Sequence, residues 1–330
     1  MIFEFVSSRD FNFIEKLAES MGVKPGNNCI RLPENIGNGF FKMVQLGSGF
    51  LVMLHRFRLK EELIIKRQSS PNAPKLVTIA FYLFDKPIVY LKNPDAAGIN
   101  LSSVHITSTN IELETNFPPG KNIHSTVIIL PAELLLEFVK TKKESLILKA
   151  IASDEYRFWF DTTMTLEIQN ILKQIDNADE EEFLNSFFYK IKAQELIYLL
   201  FKELLKQESG VYHSIDKGDI QKIYFVKETV LANLAMPPIL GCLAKMICVS
   251  ESKLKQLFRQ VFGKSIYNYY QTARMNEAAN LLKHLSVSET GYELGFVSMS
   301  HFSKVFEKFH GITPKKFKIS RNNQVCAAID

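Results

Sequence analysis

The chain of 330 residues is long enough for two domains, and its 46% hydrophobic and 23% charged residues are typical of a globular protein. The N-terminus lacks a signal-peptide pattern, no apolar run is long enough to cross a bilayer, and the four cysteines have no framework or metal-type spacing. We therefore expect a cytoplasmic protein with reduced thiols and no membrane association. Residues 209–330 hold 16 Lys and Arg against 9 Asp and Glu, a net charge of +7, and the remainder holds 24 against 26, a net charge of −2. This asymmetry favours a polyanion as the partner of the C-terminal third.

The first part of the chain has the composition of β-structure. Short runs rich in Val, Ile, Phe and Tyr alternate with turn segments that contain Pro, Gly and Asn. These runs predict strands at 49–58, 62–67, 76–84, 102–108 and 122–130. Several short strands at this spacing favour a sandwich or a small barrel.

Histidine and arginine residues on these strands are the candidates for chemistry in the first part. A barrel can bring His55, His105 and His124 together as a metal site, although the chain has no His-X-His pair. Arg56 and Arg58 lie on one face of their strand, where they could hold an anionic ligand; we expect them to face water. No Ser-His-Asp, nucleophile-elbow or phosphate-loop pattern is present, so we expect neither catalysis nor a cofactor.

After Pro131 the hydrophobic period changes to that of helices. One helical face is predicted to carry Met164, Ile168, Ile171, Leu172 and Ile175. A second helix begins with acidic residues 179–182, where the helix dipole favours negative charge, and continues to about residue 207. Its apolar positions are Leu184, Phe187, Ile191, Tyr198, Phe201 and Leu205. One face could cover the β part while another meets a second subunit; a helix buried only in its own domain is the alternative.

The C-terminal third contains a repeated pattern. Residues 209–218 predict a linker. Segments 239–263 and 287–311 each contain a short helix, a turn of three to four residues, a Ser, a second helix and a closing Gly. Two helix-turn-helix units explain the repetition, with Ser250 and Ser298 as N-caps of the second helices.

Each second helix has an apolar face and a polar face. The inward residues are predicted to be Leu254, Leu257, Phe258 and Val261 in one unit, and Phe302, Val305, Phe306 and Phe309 in the other. The polar faces offer donors for base edges and charge for phosphates. The predicted DNA contacts are Ser252, Lys255, Gln256, Arg259, Ser300, His301, Lys304, Lys308, Lys315 and Lys316. The alternatives are a solvated surface, packing of His301 against its own domain, and a plain basic tail.

A single long helix is predicted between the two units, at 265–285. About twenty residues at ~1.5 Å each span roughly 30 Å, which is close to one ~34 Å turn of B-DNA. Such a rod can present two recognition helices to successive major grooves on one side of the duplex.

Residues 219–321 resemble the AraC/XylS-type DNA-binding domain. The matching segments are LAKM, SESKLKQLFRQVFGKSIYNYY, ARMNEAANLL and ELGFVSMSHFSKVFEKFHGITPKKF. The resemblance implies a sequence-specific transcription regulator, often an activator, whose N-terminal domain binds a small effector and dimerises. The segment RQVFGKSIYNYYQTARM is similar to the branch of the family that includes siderophore-responsive regulators. Cys248 stands where the family usually has Gly, and Gly291 where it usually has Ala.

These observations together predict an α+β protein. Residues 1–208 are expected to form an effector-binding and dimerisation domain, a cupin-like β-barrel or sandwich to about residue 130 with helices after it, and 219–321 the DNA-binding domain. The expected partners are a double-stranded DNA operator, RNA polymerase, an unknown small-molecule effector and a second copy bound through 180–207. The alternatives are a DNA-targeted cupin-type metal enzyme and a regulator that acts by oligomerisation without an effector.

Overall fold

The computed structural model describes residues 1–6, 12–68, 70, 74–83, 103–141, 145–153, 158–178, 184–205 and 217–319. These residues divide into two compact units: the first contains the described residues up to Gln221 together with Gln260–Gly263, and the second contains the other described residues from Lys222 onward. Within the described ranges, no helix combines the length and the apolar character that spanning a membrane requires.

The described strands of the first unit form two sheets. The strands are β1 (Ile2–Val6), β2 (Cys29–Arg31), β3 (Gly37–Gly47), β4 (Phe50–Leu59), β5 (Leu63–Gln68), β6 (Leu76–Leu83), β7 (Ser103–Ser108), β8 (Leu113–Phe117), β9 (Asn122–Pro131) and β10 (Trp159–Thr163). The larger sheet has the order β10-β7-β6-β9-β4-β3-β2, and the smaller has the order β1-β5-β8. Because β10 and β2 end the larger sheet, the described strands do not close into the barrel expected as one option.

The five predicted strands correspond to β4, β5, β6, β7 and β9, whereas the other described strands were not predicted. Strand β3 was missed because glycines interrupt its pattern. A Cβ atom at Gly37 would lie 2.3 Å from the carbonyl oxygen of Arg58, and one at Gly39 would lie 2.1 Å from that of Arg56. These glycines are therefore required by the close approach of β3 to β4, and they conceal the strand from a propensity-based reading.

Five described helices belong to the first unit and cover both sides of the sheets. They are α1 (Phe13–Met21), α2 (Ala132–Phe138), α3 (Leu146–Ala152), α4 (Leu166–Asp176) and α5 (Asn185–Leu204). Side chains alternate along β4: Met53 joins the core shared with α1 and the smaller sheet, and Val52 and Leu54 join the core shared with α2–α5. The larger sheet is thus the middle layer of the unit.

Helix α4 follows the prediction, with its four predicted isoleucine and leucine positions buried. Met164 is also buried but precedes the helix. The expectation that Arg56 faces water is wrong, because its Nε lies 2.7 Å from Asp176 Oδ1 and its guanidinium also donates to Ser125 O. This ion pair ties the C-terminal end of α4 to β4; Arg58 is exposed as expected.

Helix α5 has two apolar faces. One face is buried and includes Leu196, Ile197 and Phe201. The other carries Leu184, Phe187, Ile191 and Tyr198, which are between 43% and 64% exposed. The acidic segment 179–182 predicted to begin this helix and residues 206–207 at its predicted end lie outside the described residues. Within them the helix ends at Leu204, so Leu205, which was predicted to lie on it, is the C-cap.

The helices that follow are α6 (Lys217–Ala232), α7 (Leu240–Met246), α8 (Glu251–Phe262), α9 (Ile266–Leu281), α10 (Val287–Glu293) and α11 (Met299–His310). Residues 209–216 of the predicted linker lie outside the described residues, and α6 already begins at Lys217. Helix α9 is shorter than predicted: its 16 residues span about 24 Å at ~1.5 Å each. It ends at Leu281 because the chain then turns to place Ser286 as the N-cap of α10.

Candidate nucleic-acid interface

The first candidate recognition helix is α8, and one side of it is fixed by packing. Its N-terminus is capped as predicted, since the backbone N–H of Lys253 donates to Ser250 Oγ at 3.2 Å. The four predicted inward side chains are buried. The Phe258 ring lies edge-on to Tyr269 of α9, with ring centroids 5.5 Å apart. This packing holds α8 against α9 and determines which face of α8 is left outside.

The outer face of α8 is polar and basic. Ser252, Lys255, Gln256 and Arg259 are all exposed, as their helical positions predict. Lys255 Nζ lies 3.7 Å from Glu251 Oε2, one turn earlier. An exposed pair of this kind contributes at most ~1 kcal/mol, so it is weak enough for a phosphate to replace the carboxylate.

The second candidate recognition helix, α11, is bounded by two caps. The backbone N–H of His301 donates to Ser298 Oγ at 3.3 Å, and Gly311 ends the helix with a left-handed φ of 73°. Phe302 and Phe306 are buried and Val305 is half-buried, as predicted.

The prediction that Phe309 faces inward is wrong, because its side chain is 42% exposed. In this last turn the inward position is taken by His310. Its ring centroid lies 4.3 Å from that of Phe306, and its Nε2 lies 3.0 Å from the carbonyl oxygen of Met275 in α9. Burial lowers the pKa of His310, and the hydrogen bond to Met275 opposes that shift in part.

The outer face of α11 matches that of α8 in character. Ser300, His301, Lys304 and Lys308 are exposed, and so are Lys315 and Lys316 in the helical segment 314–319. The His301 ring also lies edge-on to Phe296, at 5.7 Å between centroids. His301 therefore packs against its own domain, as one alternative predicts, and is still exposed, as a DNA contact requires.

Arg274 is a buried arginine that the sequence analysis did not identify, and it connects α9 to the turn of the second helix-turn-helix, between α10 and α11. Arg274 Nε donates to the carbonyl oxygen of Leu294 at 2.9 Å, and its guanidinium lies 3.8 Å from the centre of the Phe296 ring. One turn earlier, Tyr270 Oη donates to Leu234 O at 2.9 Å. Burial lowers the pKa of Arg274. The signal in the sequence was a cation beside the apolar positions of 265–285.

The turns of the two helix-turn-helix units both contain a left-handed residue. Gly295 has φ of 73° in the second turn, and Cys248 has φ of 54° in the first. Cys248 therefore adopts the conformation that a Gly would accept without strain. The turns have the predicted lengths: three residues (247–249) lie between α7 and the N-cap Ser250, and four (294–297) lie between α10 and the N-cap Ser298.

Gly291, the other departure from the family pattern, leaves room for a larger neighbour. A Cβ atom at Gly291 would lie 2.6 Å from Met299 Sδ and 2.8 Å from its Cε. The methionine of α11 therefore fills the space that an alanine side chain would require on α10.

The three histidines proposed as metal ligands have separate surroundings in the first unit. His55 Nδ1 lies 2.9 Å from Ser125 Oγ, His105 Nε2 lies 3.1 Å from Asp161 Oδ2, and His124 is exposed. Within the ranges that the structure describes, no group of three or more His, Cys, Asp and Glu side chains is arranged to hold a metal ion.

Comparison with known proteins agrees with the geometry of the second unit. The family described as "Helix-turn-helix domain" matches residues 243–319. The HTH-type transcriptional regulator ArgR of Pseudomonas aeruginosa is 33% identical over 92 residues, which cover 27% of this chain and 28% of that protein. The Arabinose operon regulatory protein of Escherichia coli is 31% identical over 162 residues, covering 46% of this chain and 56% of that protein. The HTH-type transcriptional regulator GbdR of Pseudomonas aeruginosa is 40% identical over 86 residues, covering 26% of this chain and 23% of that protein.

The chain thus spans between about a quarter and about half of the length of these curated relatives. The matched residues contain α8, α9, α10 and α11 in order, with both capped second helices. Residues 243–319 of this chain thus match a helix-turn-helix domain and are similar to the corresponding part of the Arabinose operon regulatory protein.

Proposed function

We propose that the chain is a sequence-specific transcription regulator that binds a double-stranded DNA operator through α8 and α11. The observation that carries this proposal is the pairing of two capped helices, each with a buried apolar face and an exposed face of hydrogen-bonding and cationic side chains. An α-helix fits the major groove, where side-chain donors read base edges and cations contact phosphates. Relatives that share this domain are named as transcriptional regulators.

The packing of both recognition helices against α9 supports their binding to two major grooves of the DNA. Helix α9 contacts α8 through Tyr269 and α11 through the carbonyl oxygen of Met275. Arg274 fixes the turn that precedes α11 by its bond to Leu294 O. Two recognition helices held on one scaffold can bind successive major grooves without a further loss of conformational freedom.

The test compares single substitutions on the two outer faces. We expect Lys255→Ala and Lys304→Ala each to weaken binding to the operator and to lower the slope of log affinity against log salt by about 1, because each removes one phosphate contact. Lys222→Ala is the matched control, since Lys222 is an exposed lysine of α6 outside both faces. Equal affinity and salt slope in all three variants and the native chain would contradict the assignment.

We also propose that the regulator is a homodimer that uses the exposed face of α5. Four large apolar side chains lie on this face at helical spacing, and an apolar stripe of this kind is typical of a helix that meets a partner. Ile191→Glu is expected to give a monomer in sedimentation velocity experiments, whereas Lys190→Glu, at the neighbouring exposed position, is expected to leave the mass unchanged. A native chain that sediments as a monomer at all concentrations would contradict this part.

The first unit is proposed to bind a small effector that alters operator occupancy, and activation implies contact with RNA polymerase. A ligand changes DNA affinity only if it binds with different affinity to the two conformations of the chain that bind the operator tightly and weakly. An operator selected from random duplex DNA serves as the template, and in vitro transcription from it with and without cell extract tests both parts. Transcription that depends on the protein but never on the extract would favour a regulator that acts by self-association alone.

A further inference from the structure

The first unit contains a cavity between its two sheets. The cavity measures about 190 Å³ and its wall is mainly apolar, with side chains contributed by both sheets. Representative lining residues are Met53, Ala80 and Val127 from the larger sheet and Phe117 from the smaller. An apolar cavity of about 150 Å³ is large enough for benzene, so this one accommodates a ring with one or two small substituents.

One polar atom on the wall of this cavity has no hydrogen-bond partner. His55 lines the cavity and is only 6% exposed. Its Nδ1 lies 2.9 Å from Ser125 Oγ, while its Nε2 has no partner. Burial lowers the pKa of His55 to about 3, so the ring is neutral. A buried polar atom without a partner is rare in folded proteins and destabilises the fold unless a further molecule satisfies it.

Two further wall side chains with basic groups, Arg67 and His105, bind protein oxygens. Arg67 donates to the carbonyl oxygens of Ile111 and Ser108, and also to two threonine hydroxyls. His105 lies 3.1 Å from Asp161. His55 Nε2 is therefore the atom of this wall on which a ligand's polar group would be oriented.

We propose that this cavity binds a compact, mainly apolar molecule that carries one hydroxyl group, of the substituted phenol class, with the hydroxyl hydrogen-bonded to His55 Nε2. A hydroxyl group both donates and accepts, so it pairs with Nε2 in either tautomer of the neutral ring. A carboxylate only accepts, so it would pair with Nε2 only in the tautomer that carries the proton on that atom. The further consequence, that this molecule changes DNA binding, rests on the proposed function above.

The binding test uses three probes of nearly the same shape on the full chain. These are p-cresol, p-xylene, which replaces the hydroxyl by a methyl group, and 4-methylbenzoate, which replaces it by a carboxylate. Calorimetry is expected to show p-cresol binding about tenfold more tightly than p-xylene, because one hydrogen bond to a buried group changes affinity by about that factor. Failure of p-cresol to bind, or tighter binding of 4-methylbenzoate, would overturn the proposal.

Three variants test whether the probe binds in the cavity. His55→Phe keeps an aromatic ring among Phe41, Phe57 and Phe117, and is expected to bind p-cresol and p-xylene equally. His124→Phe, at an exposed histidine of β9, is the control and is expected to keep the tenfold preference. Ala80→Leu extends into the cavity and is expected to abolish binding of both probes. A preference that survives in His55→Phe, or binding that survives in Ala80→Leu, would place the ligand elsewhere.

A separate DNA-binding measurement distinguishes this inference from the proposed function. If no probe binds but the operator is still bound, the cavity assignment fails and the regulator remains. If p-cresol binds through His55 and operator affinity is unchanged, the cavity assignment holds and the effector role of the first unit fails.

Discussion

Replacement of Gly295 by Ala tests how the second helix-turn-helix is held in place. Gly295 has φ of 73°, which is left-handed, and a Cβ atom there would lie 2.2 Å from the carbonyl oxygen and 2.9 Å from the carbonyl carbon of Ala235. The left-handed conformation costs a non-Gly residue about 1 kcal/mol, and displacement of the backbone at Ala235 adds roughly 1–3 kcal/mol. We expect Gly295→Ala to lower the free energy of unfolding of the second unit by about 2–4 kcal/mol.

Gly311→Ala is the matched control for this substitution. Gly311 has the same φ of 73°, but nothing lies within 4 Å of a Cβ atom built there. We therefore expect a loss of only about 1 kcal/mol. Urea unfolding followed by far-ultraviolet circular dichroism reports the helices, and fluorescence of Trp159, the one tryptophan of the chain, reports the first unit separately. Equal losses in the two variants would show that the contact with Ala235 contributes nothing, and would refute the reasoning.

Three further substitutions test single features of the two units. Cys248→Gly is expected to stabilise the second unit by about 1 kcal/mol, because it relieves the left-handed strain at an exposed residue; unchanged urea midpoints would contradict this. Ser286→Ala removes the capping box of α10, so we expect a loss of about 1 kcal/mol, and an NMR titration should show the lowered pKa of Glu289 rising toward its ordinary value. The pKa of His55 falls from 6.5 to about 3 on folding, so the unfolded chain binds a proton that the folded chain excludes, and the stability of the first unit falls as the pH drops from 6.5 toward 3. His55→Phe should therefore flatten the decline of stability with acid that Trp159 fluorescence reports, and an unchanged decline would contradict the burial of a neutral ring.

The helical pattern of the C-terminal part could be predicted from the sequence because local signals agree with one another there. Ser250 and Ser298 are caps that also begin apolar faces, and both occur in the structure as predicted. Phe309 was misplaced because helical period alone does not show that the neighbouring His310 reaches Met275 and occupies the inward position of the last turn. The shorter α9 has a similar origin, since apolar residues continue past Leu281 after the helix has ended.

The first unit was harder to predict because its strands depend on tertiary contacts. The glycines of β3 oppose a strand by propensity, yet the approach to Arg56 and Arg58 requires them. Contacts between residues far apart in the chain determine both buried polar sites: His55 contacts Ser125, and Arg274 donates a hydrogen bond to Leu294. The sequence shows a histidine on a predicted strand and an arginine on a predicted helix, but it does not show their burial or their partners.

Hydroxyl-radical footprinting on a duplex selected from random DNA tests the central claim most directly. Two recognition helices on one scaffold predict two protected tracts per DNA-binding domain, on one side of the duplex and centred roughly 10 base pairs apart. Lys304→Ala is expected to weaken one tract selectively and Lys255→Ala the other. A single protected tract that both substitutions weaken equally would contradict the presence of two groove-reading helices.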